Sequence, residues 1–195
     1  YFDKMKSKKI YQIHISLLGF KPKIWRRILI PADLLLSDFH YVIQEAMGWT
    51  NSHLHQFIVD GTFYTDKMEE DDFWDDLGQV DYEGIKVNQL LKTEKGQMIY
   101  EYDFGDGWQH HILLEKILDS NPAEFLPICL AGKMNCPPED CGGVHGYASY
   151  LKILEDSSDE EYESVLEWMG EDFDPEHFSL EETNHRLKHP TVGDE

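Results

Sequence analysis

The chain has 195 residues, with 17 basic against 38 acidic side chains for a formal net charge of −21, and 41% of its residues are hydrophobic. That apolar share supports a packed core and excludes wholesale disorder, and the length suits one domain with at most a small helical addition. No apolar run approaches the ~18–20 residues that cross a bilayer, Tyr1–Lys9 has no secretory apolar stretch, and the acidity opposes wrapping nucleic acid with the whole surface.

Three cysteines, an odd number, do not predict a disulfide framework and point to a reducing cytoplasm. The charge is polarised. Lys4, Lys6, Lys8, Lys9, Lys21, Lys23, Arg26 and Arg27 face a single acid, Asp3, within the first thirty residues, whereas acids gather in 66–76 and 155–176. This polarity has two readings: a basic face that takes a nucleic acid, or basic and acidic parts that attract each other within the fold.

In chain order, Tyr11, Ile13, Ile15 and Leu17 alternate with polar residues, which predicts a half-buried strand. A turn at 19–23 and a second strand at 24–30 complete an opening hairpin. Phe39, Val42, Ile43, Ala46 and Met47 fall on one helical face, with Ser37 or Asp38 as cap and Gly48 as stop. His53–Val59 reads as a strand, and Asp60-Gly61 turns it into another at 62–64. An acidic loop spans 66–84, with Phe73, Trp74 and Leu77 able to tack it down. After a short ambiguous piece at 87–91, Met98, Tyr100, Tyr102 and Phe104 form a strand that turns at Gly105-Asp106-Gly107 and returns over 108–118.

From 121 to 146 the chain reads as loop. Tyr147, Tyr150, Leu151 and Leu154 predict a short helix, and Ser158-x-x-Glu161 reads as the capping box of another that stops at Gly170. The order predicts an α+β fold, an antiparallel or mixed sheet with helices packed on one face, whose ββαβ opening allows a β-grasp-like core. The expected organisation is a tail over 1–9, one domain over 10–180 and a tail over 181–195.

Four segments stand out: Pro22-Lys23-Ile24-Trp25-Arg26-Arg27; Met47-Gly48-Trp49 with His53-Leu54-His55-Gln56-Phe57; Tyr100 to Trp108; and Cys136-Pro137-Pro138-Glu139-Asp140-Cys141-Gly142-Gly143. Together, in this order, they resemble the plasmid pRiA4b open-reading-frame-three family over nearly the whole chain. The resemblance implies an α+β domain of unassigned activity, with an association to plasmids and transposable elements. No recombinase-like serine motif or helix-turn-helix accompanies it.

The same segments hold the residues able to carry chemistry. Asp103 and Asp106 flank a Gly-rich turn just before His110, so their oxygens and an imidazole could hold a divalent cation; equally, they could cap the turn. His53 and His55, two apart in a predicted strand, would leave one face and chelate a metal with His40 or His110, or stay as buried, hydrogen-bonded rings. Cys129, Cys136, Cys141 and His145 form a candidate four-ligand zinc set despite unusual spacing, the alternative being small buried hydrophobes. Arg26 and Arg27, on opposite strand faces, either grip an external phosphate or carboxylate or pair with Asp103, Asp106, Glu139 or Asp140.

Three functions are consistent with this pattern. The leading one is a non-enzymatic module that binds a protein or other partner through the segments around Asp103, His53 and Glu139. The second is a metal-dependent hydrolase or nuclease-like enzyme using the same Asp, His and Glu residues. The third is nucleic-acid binding through the basic first hairpin.

Overall fold

A computed structural model describes residues 9–67, 78–120 and 125–191 of the chain. The expected hairpin is present as β1 (Lys9–Leu17) and β2 (Trp25–Pro31), antiparallel, with Ile13 opposite Ile28. Tyr11, Ile13, Ile15 and Leu17 are all buried, so period-two alternation chose the inner face. α1 (Leu36–Met47) buries Leu36, Phe39, Val42, Ile43, Ala46 and Met47 and stops at Gly48, whose φ of 113° needs glycine. Neither Ser37 nor Asp38 caps it. Leu35 takes the cap position without a side-chain bond, while the Leu36 N–H donates to Ile85 O, so a neighbouring loop satisfies the helix start instead.

β3 (His55–Val59) and β4 (Thr62–Thr65) turn about Asp60 and Gly61, both at positive φ, the geometry two-residue hairpins require. Next come β5 (Val80–Asp81), α2 (Val87–Leu90), β6 (Gln97–Tyr102), β7 (Trp108–Asp119), β8 (Ile128–Lys133), α3 (Gly143–Leu154), α4 (Tyr162–Met169) and α5 (Leu180–Lys188). The strands form one mixed sheet in the order β5-β4-β3-β6-β7-β1-β2-β8, antiparallel except for β4 with β5. The fold is therefore α+β, as the sequence predicts. Its ββαβ opening is β1, β2, α1 and β3, and both neighbours of β1 run antiparallel to it.

Four expectations need correction. His53 precedes β3, because pairing with β6 starts only at His55 opposite Tyr102. The loop expected over 121–146 contains β8, an edge strand paired with β2, and the start of α3. Ser158 does not cap α4; Asp156 and Asp159 accept the local turn N–H groups instead. The predicted C-terminal tail from 181 holds α5, capped by Ser179 Oγ accepting from Glu182 N–H. The Asn184 amide then covers the β8 edge, accepting from Cys129 N–H and donating to Cys129 O. The predicted contacts of Phe73, Trp74 and Leu77 and most of the N-terminal tail lie outside the described residues.

The core packs α1 on the central strands, with Trp108, Tyr100, Tyr102, Ile112 and Leu114 buried beneath Phe39, Ile43 and Met47. Each large side chain so buried contributes roughly 1.5–3 kcal/mol. Most polar groups within this layer are paired, Trp108 Nε1 being an exception. Tyr100 donates its hydroxyl to His40 Nδ1 (2.8 Å) and accepts from Gln44 Nε2 (2.9 Å), while His40 Nε2 donates to Asn51 Oδ1 (2.7 Å). Tyr100→Phe strands both Tyr100 partners and should cost about 1–3 kcal/mol in denaturant titrations.

Burial holds His40 and His110 neutral, pushing each down to about 4 from the ordinary 6.5. Between those values the unfolded chain takes up protons that the folded chain refuses, so stability is full above pH 6.5 and falls as acid is added. Each histidine adds a slope of about 1.4 kcal/mol per pH unit there. Urea midpoints should therefore drop between pH 7 and pH 5, and a flat profile would contradict neutral burial.

Candidate functional site

Two turns and the exit from α1 converge at one end of β6. Asp103 ends that strand at φ 59°. Its Oδ1 accepts from the N–H groups of Gly105 (3.0 Å) and Asp106 (3.3 Å), which leaves Oδ2 pointing away from the turn. Beyond Gly48, the Asn51 N–H donates to Gln44 Oε1 and the Ser52 N–H to Tyr102 Oη, and this path presents His53 to the same place. Glu139 and Asp140 arrive from the Pro-Pro loop. Glu139 Oε1 accepts from Thr50 N–H, Thr50 Oγ1 and Tyr102 Oη at 2.9–3.0 Å, and Oε2 is buried with no hydrogen-bond partner.

The result is a ring of oxygens about one imidazole nitrogen. His53 Nε2 lies 3.0 Å from Asp140 Oδ1, 3.6 Å from Asp103 Oδ2 and 3.9 Å from Glu139 Oε2. Although 3.0 Å is hydrogen-bond distance, His53 Nε2 has no partner in line and is itself a buried, unsatisfied atom. A misdirected N–H gains little even at short range. The nitrogen therefore faces the space between the carboxylates rather than any one of them. His53, Asp103 and Asp140 form the tightest set, with donor atoms within 4.8 Å of one another, and Glu139 stands just outside it.

A cavity of 490 Å³ adjoins this cluster, with His53 in its wall together with His40, His55, Tyr41, Asn51 and Tyr82. His55 stacks on His40 with ring centres 3.5 Å apart and bonds Tyr82 Oη at 2.8 Å. Burial, then the neighbouring His40, pushes His55 down to about 3, so this pair presents neutral rings.

The residues singled out from sequence thus divide. Asp103, His53, Glu139 and Asp140 meet. Asp106 sits beside them in a structural role, its Oδ2 accepting from Gly142 N–H at 3.1 Å. That bond ties the Asp103 turn to the loop carrying Glu139, and a side chain at Gly143 would strike the Asp106 carbonyl. His55 is separated from His53 because the two do not share a strand. His110 is fully buried, accepting from Trp49 Nε1 at 3.1 Å and donating from Nδ1 to Tyr100 O, and takes no part in the cluster.

Cys129, Cys136 and Cys141 are buried free thiols, and burial raises all three, Cys141 to about 12. Among the described residues, no three of Cys129, Cys136, Cys141 and His145 come close enough together to share one ion. Arg27 pairs through two nitrogens with Glu115 on β7 at 2.7 and 2.9 Å, and Arg26 bonds backbone carbonyls, so neither pairs with the expected acids. Lys9 pairs with Asp119. Among the described residues, Lys9, Arg26 and Arg27 of the basic hairpin are thereby engaged within the fold, while Lys21 and Lys23 are exposed.

Thr50 and Tyr102, which orient Glu139, do not stand out in the sequence as site residues. Tyr102 is legible as an inward position of the β6 alternation next to Asp103, whereas Thr50 carries no local signal. Burial first, then Glu139, raises the Tyr102 hydroxyl, so it stays a neutral donor.

The fold and this convergence of turns define an α+β domain with a carboxylate–histidine cluster at one sheet end. The chain belongs to the plasmid pRiA4b ORF-3-like protein family, which it matches over residues 9–182. It is similar to the uncharacterized protein y4hQ of Sinorhizobium fredii (strain NBRC 101917 / NGR234), 35% identical over 162 residues that cover 83% of this chain and 81% of that one. Its fold is similar to the crystal structure of a protein of unknown function, MM3350 from Methanosarcina mazei Go1, with TM-score 0.78 and 38% identity over 89% of this chain and 96% of that one.

If Asp106 is the tie between the two turns, Asp106→Ala should lower stability by about 1–2 kcal/mol and speed hydrogen exchange at the Gly142 amide. Unchanged exchange there would remove the tie.

Proposed function

We propose that the protein is a binding domain whose ligand is a divalent cation held by His53, Asp103 and Asp140, with Glu139 as a fourth donor. The observation that carries this reading is the buried, unbonded His53 Nε2 facing carboxylate oxygens at 3.0, 3.6 and 3.9 Å. Donors around an ion with bonds of ~2.1 Å stand roughly 3.0–3.4 Å apart, close to these separations. Each of Asp103 and Glu139 also has one oxygen fixed by the scaffold and the other turned inward, the arrangement that orients metal ligands. An imidazole among carboxylates favours Zn²⁺ or Mn²⁺ over Ca²⁺.

Asp103→Asn is the informative variant, since an Asn oxygen accepts the same turn N–H groups and Asn tolerates positive φ. Calorimetric titration of chelator-treated protein with Zn²⁺ and Mn²⁺ should show one site, weakened at least ~10-fold by the lost charge. The metal-free variant should melt no lower than the parent, because one of several like charges is gone. Absence of heat and of any melting shift in the parent with both ions would sink the reading.

A second reading, metal-dependent hydrolysis of a small or nucleotide-like substrate, is supported by the position of His53 in the wall of the 490 Å³ cavity. An ion at the cluster would supply an activated water to that space. The plasmid in the family's description supports an association with mobile elements as the setting of this role. Three free, buried thiols fit the reducing cytoplasm as its compartment. No helix among the described residues is long and apolar enough to cross a membrane.

A further inference from the structure

α1 ends without a basic residue in its own last turn. Its final carbonyls are met instead by two arginines from elsewhere. Arg26 of β2 donates from Nε to Ala46 O (2.9 Å) and from Nη2 to Met47 O (3.4 Å), and Arg186 of α5 donates from Nε to Glu45 O (3.0 Å). A helix end carries about half a negative charge, whereas two guanidiniums carry two full positive ones. More than one positive charge is left over.

Neither arginine pairs with a carboxylate among the described residues. The remaining partners of Arg26 are the carbonyls of Trp25 and Lys133 and the face of Phe178, and Arg186 reaches Thr183 Oγ1. Glu182, the acid that shares their cavity, is engaged with His177 at 2.8 Å. Burial pushes Arg26 below its ordinary value, the neighbouring Cys136 and Cys129 oppose that and Arg186 adds to it, and no carboxylate takes part. In a chain with 38 acids to 17 bases, that is unusual.

Both arginines line a cavity of 350 Å³ whose other walls include Met169, Phe173, Pro138 and the hydroxyl-bearing Ser179 and Thr183. We propose that this cavity binds a small organic carboxylate, its oxygens held by Arg26 and Arg186 and its hydrocarbon body by Met169 and Phe173. Arg186 is the adaptable half of the grip, because its Nη1 makes no hydrogen bond among the described residues. The fork geometry of guanidinium suits a planar carboxylate, and the apolar walls favour an organic body over a bare oxyanion.

The test titrates the full-length chain with benzoate and, separately, with inorganic phosphate at ionic strength matched by chloride, reading heat and amide chemical shifts. Saturable benzoate binding with shifts at Gly48, Thr183 and Arg186 is the expected result. Arg186→Gln should weaken it ~10-fold, and Glu139→Gln, in the cation cluster, should leave it unchanged. Saturable binding of phosphate but not benzoate would overturn the ligand class. No saturable binding, or shifts confined elsewhere, would overturn the site. The shift map of the unsubstituted protein decides even where Arg186→Gln fails to fold.

Discussion

Much of this molecule depends on how α1 ends, and that end is governed by Gln44. Its backbone carbonyl accepts from both Gly48 and Trp49, closing the helix, while its fully buried side chain accepts from Asn51 N–H and donates to Tyr100. One residue thus fixes the left-handed step at Gly48 and the direction of the next five residues. On one side of that exit, Thr50, Ser52 and His53 are placed against Tyr102, Asp103 and Glu139. On the other, the carbonyls of Glu45, Ala46 and Met47 are turned toward Arg26 and Arg186. Both cavities are consequences of a single helix terminus, and a change at Gln44 would disturb both while touching neither ligand set directly.

The candidate cluster is unfavourable by itself, which makes its rigidity informative. Carboxylates within a few ångströms of one another repel, and a buried unbonded imidazole nitrogen and carboxylate oxygen each cost of order 1–3 kcal/mol. A chain free to relax would turn these groups outward. Here the relaxation is blocked by backbone N–H groups at the Asp103 turn, by Thr50 and Tyr102 on Glu139, and by the Asp106 tie to Gly142. These bonds keep the second oxygens of Asp103 and Glu139 turned toward His53, whereas Asp140 stays largely exposed. Local strain of this kind, held in place by surrounding bonds, is the physical basis for reading the cluster as a site.

Legibility in the sequence tracks the range of the interaction. Strands β1, β6 and β7 and the buried face of α1 are readable because their signal is periodic and local. The clustering of Asp103 with His53 and Glu139 is readable only as three polar segments, since the distances between them depend on the exit from α1. Two-residue spacing in a predicted strand places His53 and His55 on one face, but the first residue of β3 is set by cross-strand pairing with Tyr102. The helix α5 escapes a sequence reading although Ser179-x-x-Glu182 carries the same capping signature that fails at Ser158-x-x-Glu161. The difference lies downstream of the cap: Thr183 and Leu187 find a buried seat against α1 and β8, which a helix of mean polar character does not announce.

The partners of Arg26 and Arg27 are equally long-range, and they show how charge is organised here. Sequence patterning points to ion pairs between these arginines and the acids of the two turns. The fold keeps the two apart. Acids collect where backbone N–H groups converge, at the Asp103 turn and the loop before α3. Two cations collect where backbone carbonyls converge, at the end of α1. In each place the opposing partner is a set of peptide dipoles, which offset a fraction of an elementary charge rather than all of it. A direct ion pair would have left both surfaces neutral. Holding each charge with dipoles keeps it positioned and incompletely neutralised, carboxylates about His53 and guanidiniums at the end of α1.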